Sequence, residues 1–504
     1  MRRHRGLIVL FIIFIGLFLY RGADYLDPDF GWHIQVGNLI LKHGISYTDP
    51  FSYSMPSYPF VDHEWLTNLS WAITFNHFGM LPLLVILSFL AVGSLLFQTM
   101  FADKKWVALP LILSAATLFE FVGVRTQVIT WFFLSVLVCV LSQKSLWKKW
   151  RFFLPFLFLI WANLHGGFGI GVGVLGIVLL GRSIEERKNV KENVIILLLC
   201  TTVTLINPFG IRLWWEFWMQ LSDSQLRWSI AEWYPAIYFA NIAFWVYFTL
   251  SLVLVIRYWK KYTITELFLY FFLLMEGMAS MRNIPLWIIA SFSMTVRSIS
   301  YLHQESSAFL YGSERFRIAY FFFGIIALCM FLPQFGIYFY ADYISSNAPD
   351  AYPRQAIVYL QKHTPKQQIF SSYDWGGYLD WKFPQKKVFI DGRMPSWRWQ
   401  ASIPGESNYA FDEYKKVLGE QIPFADFAAK YHITMLLVPK ADMEMPESKI
   451  FGITFPKNSF IGNLLISQKS FYLLVQEAKK SGWKQVYQDR TSFILQKPGA
   501  QIQN

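Results

Sequence analysis

Two carboxylates and an imidazole stand close together in Asp27-Pro28-Asp29-Phe30-Gly31-Trp32-His33, just past the first apolar run. Proline disfavours the helical region for the residue before it, so Asp27 is expected to be extended. In an extended chain residues two apart point to one side, so Asp27 and Asp29 can converge on a single ligand. Asp29 also suits the N-cap of a helix through Ile34, Val36, Ile40 and Leu41, which puts His33 one turn along. A plain turn and helix cap explains the same letters. The choice between the two rests on where the other unusual polar residues fall.

The elements that must position these residues are membrane spans. A chain of 504 residues that is 54% hydrophobic and 19% aromatic but only 15% charged is too apolar for an ordinary soluble protein. Its net charge of +12 comes from short Lys/Arg clusters between apolar runs, the pattern of membrane topology signals and not of a nucleic-acid face. Cys139, Cys200 and Cys329 lie inside apolar runs and read as packing residues.

The basic start Arg2-Arg3-His4-Arg5 and the apolar run 7–20 read as an uncleaved first anchor, since no A-x-A-like site follows. Further spans are expected near 80–101, 106–122, 127–142, 152–164, 168–181, 193–206, 238–256, 262–280, 284–300 and 318–340, about eleven in all. Counted on alternate sides up to the start of the tail, 19 Lys/Arg fall on the face of the N-terminus and 6 on the other. The positive-inside rule then places the N-terminus in the cytoplasm of a multi-pass protein of the cytoplasmic membrane. An odd number of spans puts the tail outside.

On this topology Asp27 to His33, Asp62-His63-Glu64, Arg125, Asn163-Leu164-His165-Gly166-Gly167, Asn207-Pro208, Glu232 and Arg282 all fall on the exterior face. Taken singly, each has an ordinary explanation: snorkelling arginines, a helix stop, a loop histidine, or Asp62 capping the run 66–78. Together they fit one polar site at the outer surface, because charges at the membrane edge are costly and usually functional. His63 or Glu64 is expected to face the cavity of Asp29. The tryptophans of loop 209–237 are expected at the interface.

Two regions follow: 1–340, a membrane domain with a long first exterior loop 21–79, and 341–504, an extracytoplasmic α/β domain. In the tail, helices are expected near 352–362, 411–418, 424–430 and 471–481, with strands at 368–371, 388–391, 434–438, 484–488 and 491–496. The first strand runs into Tyr373-Asp374-Trp375-Gly376-Gly377 and the second into Asp391-Gly392-Arg393, and ligands favour such strand ends. Asp374 is therefore a candidate for substrate contact.

An anchored first helix, a long acidic first loop, about eleven spans and an α/β tail resemble the GT-C glycosyltransferases. The strings DPDFGWH, TDPFSY, DHEWL, NLHGG, GGYLDW and FIDGR resemble bacterial multipass proteins grouped in that class, and the resemblance covers nearly the whole chain. There is distant similarity to protein O-mannosyltransferases and to oligosaccharyltransferase catalytic subunits, whose WWDYG motif Tyr373 to Gly377 matches only loosely. The resemblance implies transfer of a sugar from a polyprenyl-phosphate-linked donor to a glycan, lipid or protein acceptor, with inversion. It implies that Asp29, with Asp27 as rival, acts as general base or holds a divalent cation, Mg or Mn. Arg125 and Arg282 would take the lipid phosphate, with His165, Glu232 and Asp374 as further substrate contacts, and His33, His63 and Glu64 would complete a metal site with Asp27 and Asp29.

Two other classes share these features. A transporter or flippase of lipid-linked sugars would carry polar or broken helices near mid-membrane, where Glu120 and Glu276 are the residues to watch. A non-catalytic membrane scaffold would need neither Asp27 nor Asp29.

Overall fold

The computed structural model describes residues 2–24, 26–187, 189–223, 225–306, 314–329, 351–440, 448–450, 453–455 and 471–502. The end of the expected last span, 330–340, and the start of the tail, 341–350, lie outside them. The chain is mostly helical, with a small C-terminal sheet. It forms two compact units: Met1–Asp27, Asp62–Ser70 and Thr74–Asp342 make the first; Pro28–Val61, Trp71–Ile73 and Tyr343–Asn504 make the second.

In the first unit, three described helices are long and apolar enough to cross a membrane: Gly6–Asp24, Met80–Met100 and Phe168–Glu186. Gln127–Ser142 and Lys144–Leu164 qualify as a pair, bent by 111°. Eleven spans are therefore not confirmed among the described residues. Ala108–Leu118 and Ile242–Arg257 are apolar but have 11 and 16 residues, and a bilayer core needs about 20 at 1.5 Å each. Ile284–Ser306 is long, but it carries Arg297, His303 and Glu305.

Small and hydroxylated residues let these helices approach. Met80–Met100 and Gln127–Ser142 meet where the Ser135 hydroxyl donates to the Ser94 carbonyl and the Gln98 amide donates to Ser135 Oγ at 3.1 Å. Ile242–Arg257, Ile264–Ala279 and Ile284–Ser306 share a buried hydroxyl network. Ser251 lies 2.9 Å from Tyr270 and 2.8 Å from Thr295, and Tyr247 lies 3.0 Å from Ser291.

The second unit holds a four-stranded sheet. Its strands are β1 (Gln368–Ser371), β2 (Ile433–Pro439), β5 (Lys484–Gln488) and β6 (Ser492–Gln496), in the order β1-β2-β6-β5. β3 (Ser448–Ile450) and β4 (Ile453–Phe455) form a separate antiparallel pair. β1 runs parallel to β2, while β2/β6 and β6/β5 are antiparallel. The sheet centre is dry: Met435, Leu436, Leu437, Val438, Ile494 and Leu495 are fully buried. Helices Arg354–Lys362, Ala410–Leu418, Phe424–Lys430 and Tyr472–Lys480 lie close to their expected positions. The expected strand at 388–391 does not join the sheet. Val388 pairs instead with the segment around Ser52, its N–H donating to the Phe51 carbonyl at 3.0 Å and its carbonyl accepting from Tyr53 at 2.9 Å.

The first-loop helix Phe30–His43 also packs within this second unit. It crosses Gly376–Lys382 where both present glycine: a Cβ on Gly31 would lie 2.0 Å from the Gly377 carbonyl oxygen, and one on Gly377 would lie 2.5 Å from that of Pro28. Gly392 is bare for a similar reason, since a Cβ there would fall on Asp29 Oδ1. Three of the sequence strings thus meet, DPDFGWH and GGYLDW backbone to backbone and FIDGR against the Asp29 side chain.

Candidate active site

The first unit brings together two adjoining polar groups. In one, the Arg125 guanidinium joins two carboxylates. Its Nε lies 2.5 Å from Asp27 Oδ2 and its Nη1 lies 2.9 Å from Glu232 Oε1. The side chain of Asp27 is 11% exposed and that of Glu232 is 38% exposed, so one carboxylate faces inward and the other reaches solvent. Arg282 lies over Trp233, 5.2 Å from the ring centroid. Burial opposes ionisation of Glu232, but the Arg125 and Arg282 charges outweigh it and hold its carboxyl below the usual range. The segments carrying these groups are pinned together: the Met281 N–H donates to the Tyr234 carbonyl at 2.8 Å.

The next residue, Thr126, begins the second group. Its hydroxyl donates to Glu64 Oε1 at 3.0 Å, and His165 Nε2 lies 3.2 Å from the same oxygen. The backbone fixes the His165 tautomer. The Gly167 N–H donates to Nδ1 at 2.9 Å, leaving the ring proton on Nε2, the nitrogen nearer Glu64. Thr130 Oγ1 sits 2.7 Å from Nδ1 and accepts from the Trp161 indole at 3.0 Å. This contact explains the two glycines of NLHGG: a Cβ on Gly167 would lie 2.2 Å from Thr130 Oγ1, and one on Gly166 would lie 2.8 Å from the His63 ring. In the same string, the Asn163 side-chain Oδ1 accepts from the Trp65 indole at 2.8 Å.

His63 Nε2 lies 3.5 Å from Glu64 Oε1. Burial disfavours its charge, but Glu64, Glu216 and Asp62 outweigh burial and raise its imidazole above the ordinary value. Glu216, on the inner face of the Trp-rich helix Arg212–Ser222, is itself pushed up by burial against the pull of His63. Burial also pushes Asp62 up to about 6, although it accepts from the Asn68 amide and the Glu64 N–H. Asp62 therefore orders its own turn and does not cap the helix that follows.

The second unit holds the other candidates. Asp29 is half-buried, and its Oδ1 accepts from the Trp32 indole at 2.9 Å. It makes no side-chain cap bond, contrary to the expected N-cap role, because the carboxylate turns toward Trp32 and Gly392. His33 is buried among rings, 3.6 Å from the centroid of Trp32 and 5.3 Å from that of Trp71. Asp374 is exposed; its neighbours serve structure, with the Tyr373 N–H donating to the Tyr414 hydroxyl and the Trp375 indole to the Ala351 carbonyl.

A further constellation was not among the expected site residues. Arg393 is buried between Asp49 and Asp391, its Nη2 lying 2.8 Å from Asp49 Oδ1 and 2.6 Å from Asp391 Oδ2. Its guanidinium carbon lies 4.7 Å from the Phe51 ring centroid, 5.1 Å from that of Phe60 and 5.2 Å from that of Trp397. Asp380 hydrogen-bonds to Asp391, and burial, then the Asp391 charge, drives its carboxyl well above the usual range. The clue was present in TDPFSY and FIDGR: an acid in one string and an acid beside an arginine in the other.

Among the described residues, no group of three or more His, Cys, Asp or Glu side chains is arranged to hold a metal ion. Of the five expected ligands, Asp27 is committed to Arg125, Asp29 to an indole, His33 to ring stacking, and His63 and Glu64 to each other and His165.

No known family description and no curated protein matches the sequence. Among solved structures, the chain is similar to the apo crystal structure of an oligosaccharyltransferase from Archaeoglobus fulgidus. The TM-score is 0.57 at 12% identity, covering 86% of this chain and 69% of that one. At this identity the likeness is one of fold alone.

Proposed function

We propose that this chain is a membrane glycosyltransferase of the GT-C kind, which moves a sugar from a polyprenyl-phosphate-linked donor to an acceptor at the outer face of the cytoplasmic membrane. The observation that carries this reading is the Arg125 guanidinium, held between Asp27 and Glu232 with the Arg282 charge beside them, in a helical membrane unit. The fold likeness to an oligosaccharyltransferase supports the same reaction class. The Lys/Arg bias supports a cytoplasmic N-terminus and an exterior tail.

In this reading the arginines receive the donor phosphate, for which guanidinium is suited by its permanent charge and forked donors. An acceptor hydroxyl attacks the anomeric carbon, the bond from that carbon to the phosphate oxygen breaks with its electron pair on phosphate, and the anomeric centre inverts. The hydroxyl proton passes to a carboxylate of the first loop, for which the family resemblance puts forward Asp29 with Asp27 as its rival. Asp27 positions Arg125. His165 and Glu64 shape the wall beside the arginine, since residues 125 and 126 belong to the two groups in turn.

The test uses the purified full chain in lipid, with a panel of polyprenyl-phosphate sugars, following donor loss with and without divalent ions. Asp29→Asn should slow donor loss by about 10² to 10⁴ while the protein still folds. Unchanged rates in both Asp29→Asn and Asp27→Asn would remove these carboxylates from the mechanism and favour a transporter or scaffold. A requirement for added divalent ions would favour a metal-ligand role for the first-loop carboxylates over a general-base role.

A further inference from the structure

Glu232 occupies the position an anionic ligand would take. Its carboxylate oxygen accepts from Arg125 Nη1 at 2.9 Å, and Arg282, the second guanidinium acting on it, is held over the adjacent Trp233. The two carboxylates of Arg125 are unequal. Asp27 lies at the Nε edge with an 11% exposed side chain, whereas Glu232 is 38% exposed and can return to water at small cost. The backbone beneath Glu232 is anchored independently of that side chain. The Trp233 N–H donates to the Ile230 carbonyl at 3.0 Å, and the Met281 N–H donates to the Tyr234 carbonyl at 2.8 Å. The carboxylate can therefore swing away while the arginines stay in place.

We propose that Glu232 is an internal stand-in for phosphate: it holds the Arg125 and Arg282 guanidiniums apart in the empty protein and is displaced by the phosphate or diphosphate group of the donor. The inference rests on the proposed transfer reaction and names the regulation of its anion site. A carboxylate offers two oxygens and one charge, and a diphosphate offers more of both, so the ligand wins the guanidiniums when it arrives. Until then Glu232 keeps two neighbouring cations compensated and rejects weaker anions.

The test is binding, not turnover. Calorimetric titration of the purified full chain in neutral detergent at low salt uses three probes: inorganic pyrophosphate, farnesyl diphosphate and short-chain phosphatidylglycerol. Glu232→Gln should bind pyrophosphate about two- to fivefold more tightly than wild type, the range expected for removing a half-exposed competing ion pair. Glu232→Ala should do the same, and Arg125→Gln should lose binding. Farnesyl diphosphate should bind at least as tightly as pyrophosphate. Equal or weaker binding in folded Glu232→Gln and Glu232→Ala, with wild type binding normally, would overturn the displacement and leave the anion site standing. Absence of pyrophosphate binding in wild type and both Glu232 variants would overturn the anion site itself. Phosphatidylglycerol competing as well as farnesyl diphosphate would reassign the site to bilayer headgroups and overturn its link to the donor.

Discussion

Replacing Arg393 by methionine should destabilise the second unit more than any other single change at a charged residue there. The guanidinium is buried, bridges Asp49 and Asp391, and sits among the rings of Phe51, Phe60 and Trp397. Methionine keeps much of the volume but leaves buried carboxylates without their cation, which costs about 3 to 5 kcal/mol. For a unit of this size each kcal/mol moves the melting midpoint by about 2 to 4 °C, so a fall of about 6 to 20 °C is expected. Intrinsic fluorescence melting of the full chain would read it, since Trp397 lies in the stack. The reasoning also predicts a rescue: Asp391→Asn added to Arg393→Met removes an orphaned charge and should recover part of the loss. Melting of Arg393→Met within 2 °C of wild type, or a double variant worse than the single, would refute the claim that the cation is what holds this cluster.

Other consequences can be checked with the same preparations. Asp62 has its folded pKa raised to about 6, so the folded state binds the extra proton and stability falls as pH rises from about 4 to 6. Asp62→Asn should flatten that part of the melting-against-pH curve. His63 has the same sign in a higher window: its raised value means its contribution is full below about 6.5 and is lost as pH climbs through the folded pKa, a loss that His63→Gln should abolish. Glycine substitutions should rank by what the added Cβ meets. Gly31→Ala and Gly377→Ala, which strike backbone, should be the most harmful; Gly166→Ala, which strikes the His63 side chain, should be milder. Gly173→Ala, with nothing within 4 Å, should be neutral or stabilising by up to about 1 kcal/mol in thermal melts.

Much of the second unit was legible because its signals are local. Alternating runs and turn residues placed β1, β2, β5 and β6 and the helices between them within a few residues. The strand expected at 388–391 failed because periodicity does not say what pairs with what: its hydrogen bonds go to Phe51 and Tyr53, far away in sequence. For the same reason nothing in the first loop announced that Pro28–Val61 packs with the tail. The strings that carried the family resemblance proved to be contact points, glycine against backbone at Gly31 and Gly377 and acid against arginine at Asp49 and Arg393. The count of eleven spans is not confirmed among the described residues, because hydropathy marks apolar runs but not where a helix ends, as Ala108–Leu118 shows.

In the candidate site, Asp27, Arg125 and Glu232 were picked from charge placed at the edges of apolar runs, and the structure joins them. His63, Glu64 and His165 meet as well. Thr126 and Thr130 were missed because hydroxyls are common in helices, and Glu216 because its Trp-rich helix reads as an interfacial surface. His33 lies against the Trp32 ring, a contact that leaves no sequence pattern separating it from a ligand.

The central claim is that the arginine-centred site handles a lipid-linked sugar phosphate, and the most direct measurement is donor cleavage by the wild-type chain and by Arg125→Gln in lipid nanodiscs, followed by mass spectrometry of the polyprenyl product. The account predicts that wild type releases polyprenyl phosphate or diphosphate from at least one donor while folded Arg125→Gln releases at least about a hundredfold less. Equal release by the two proteins, or a wild type that binds and moves donors intact without cleaving any, would contradict it.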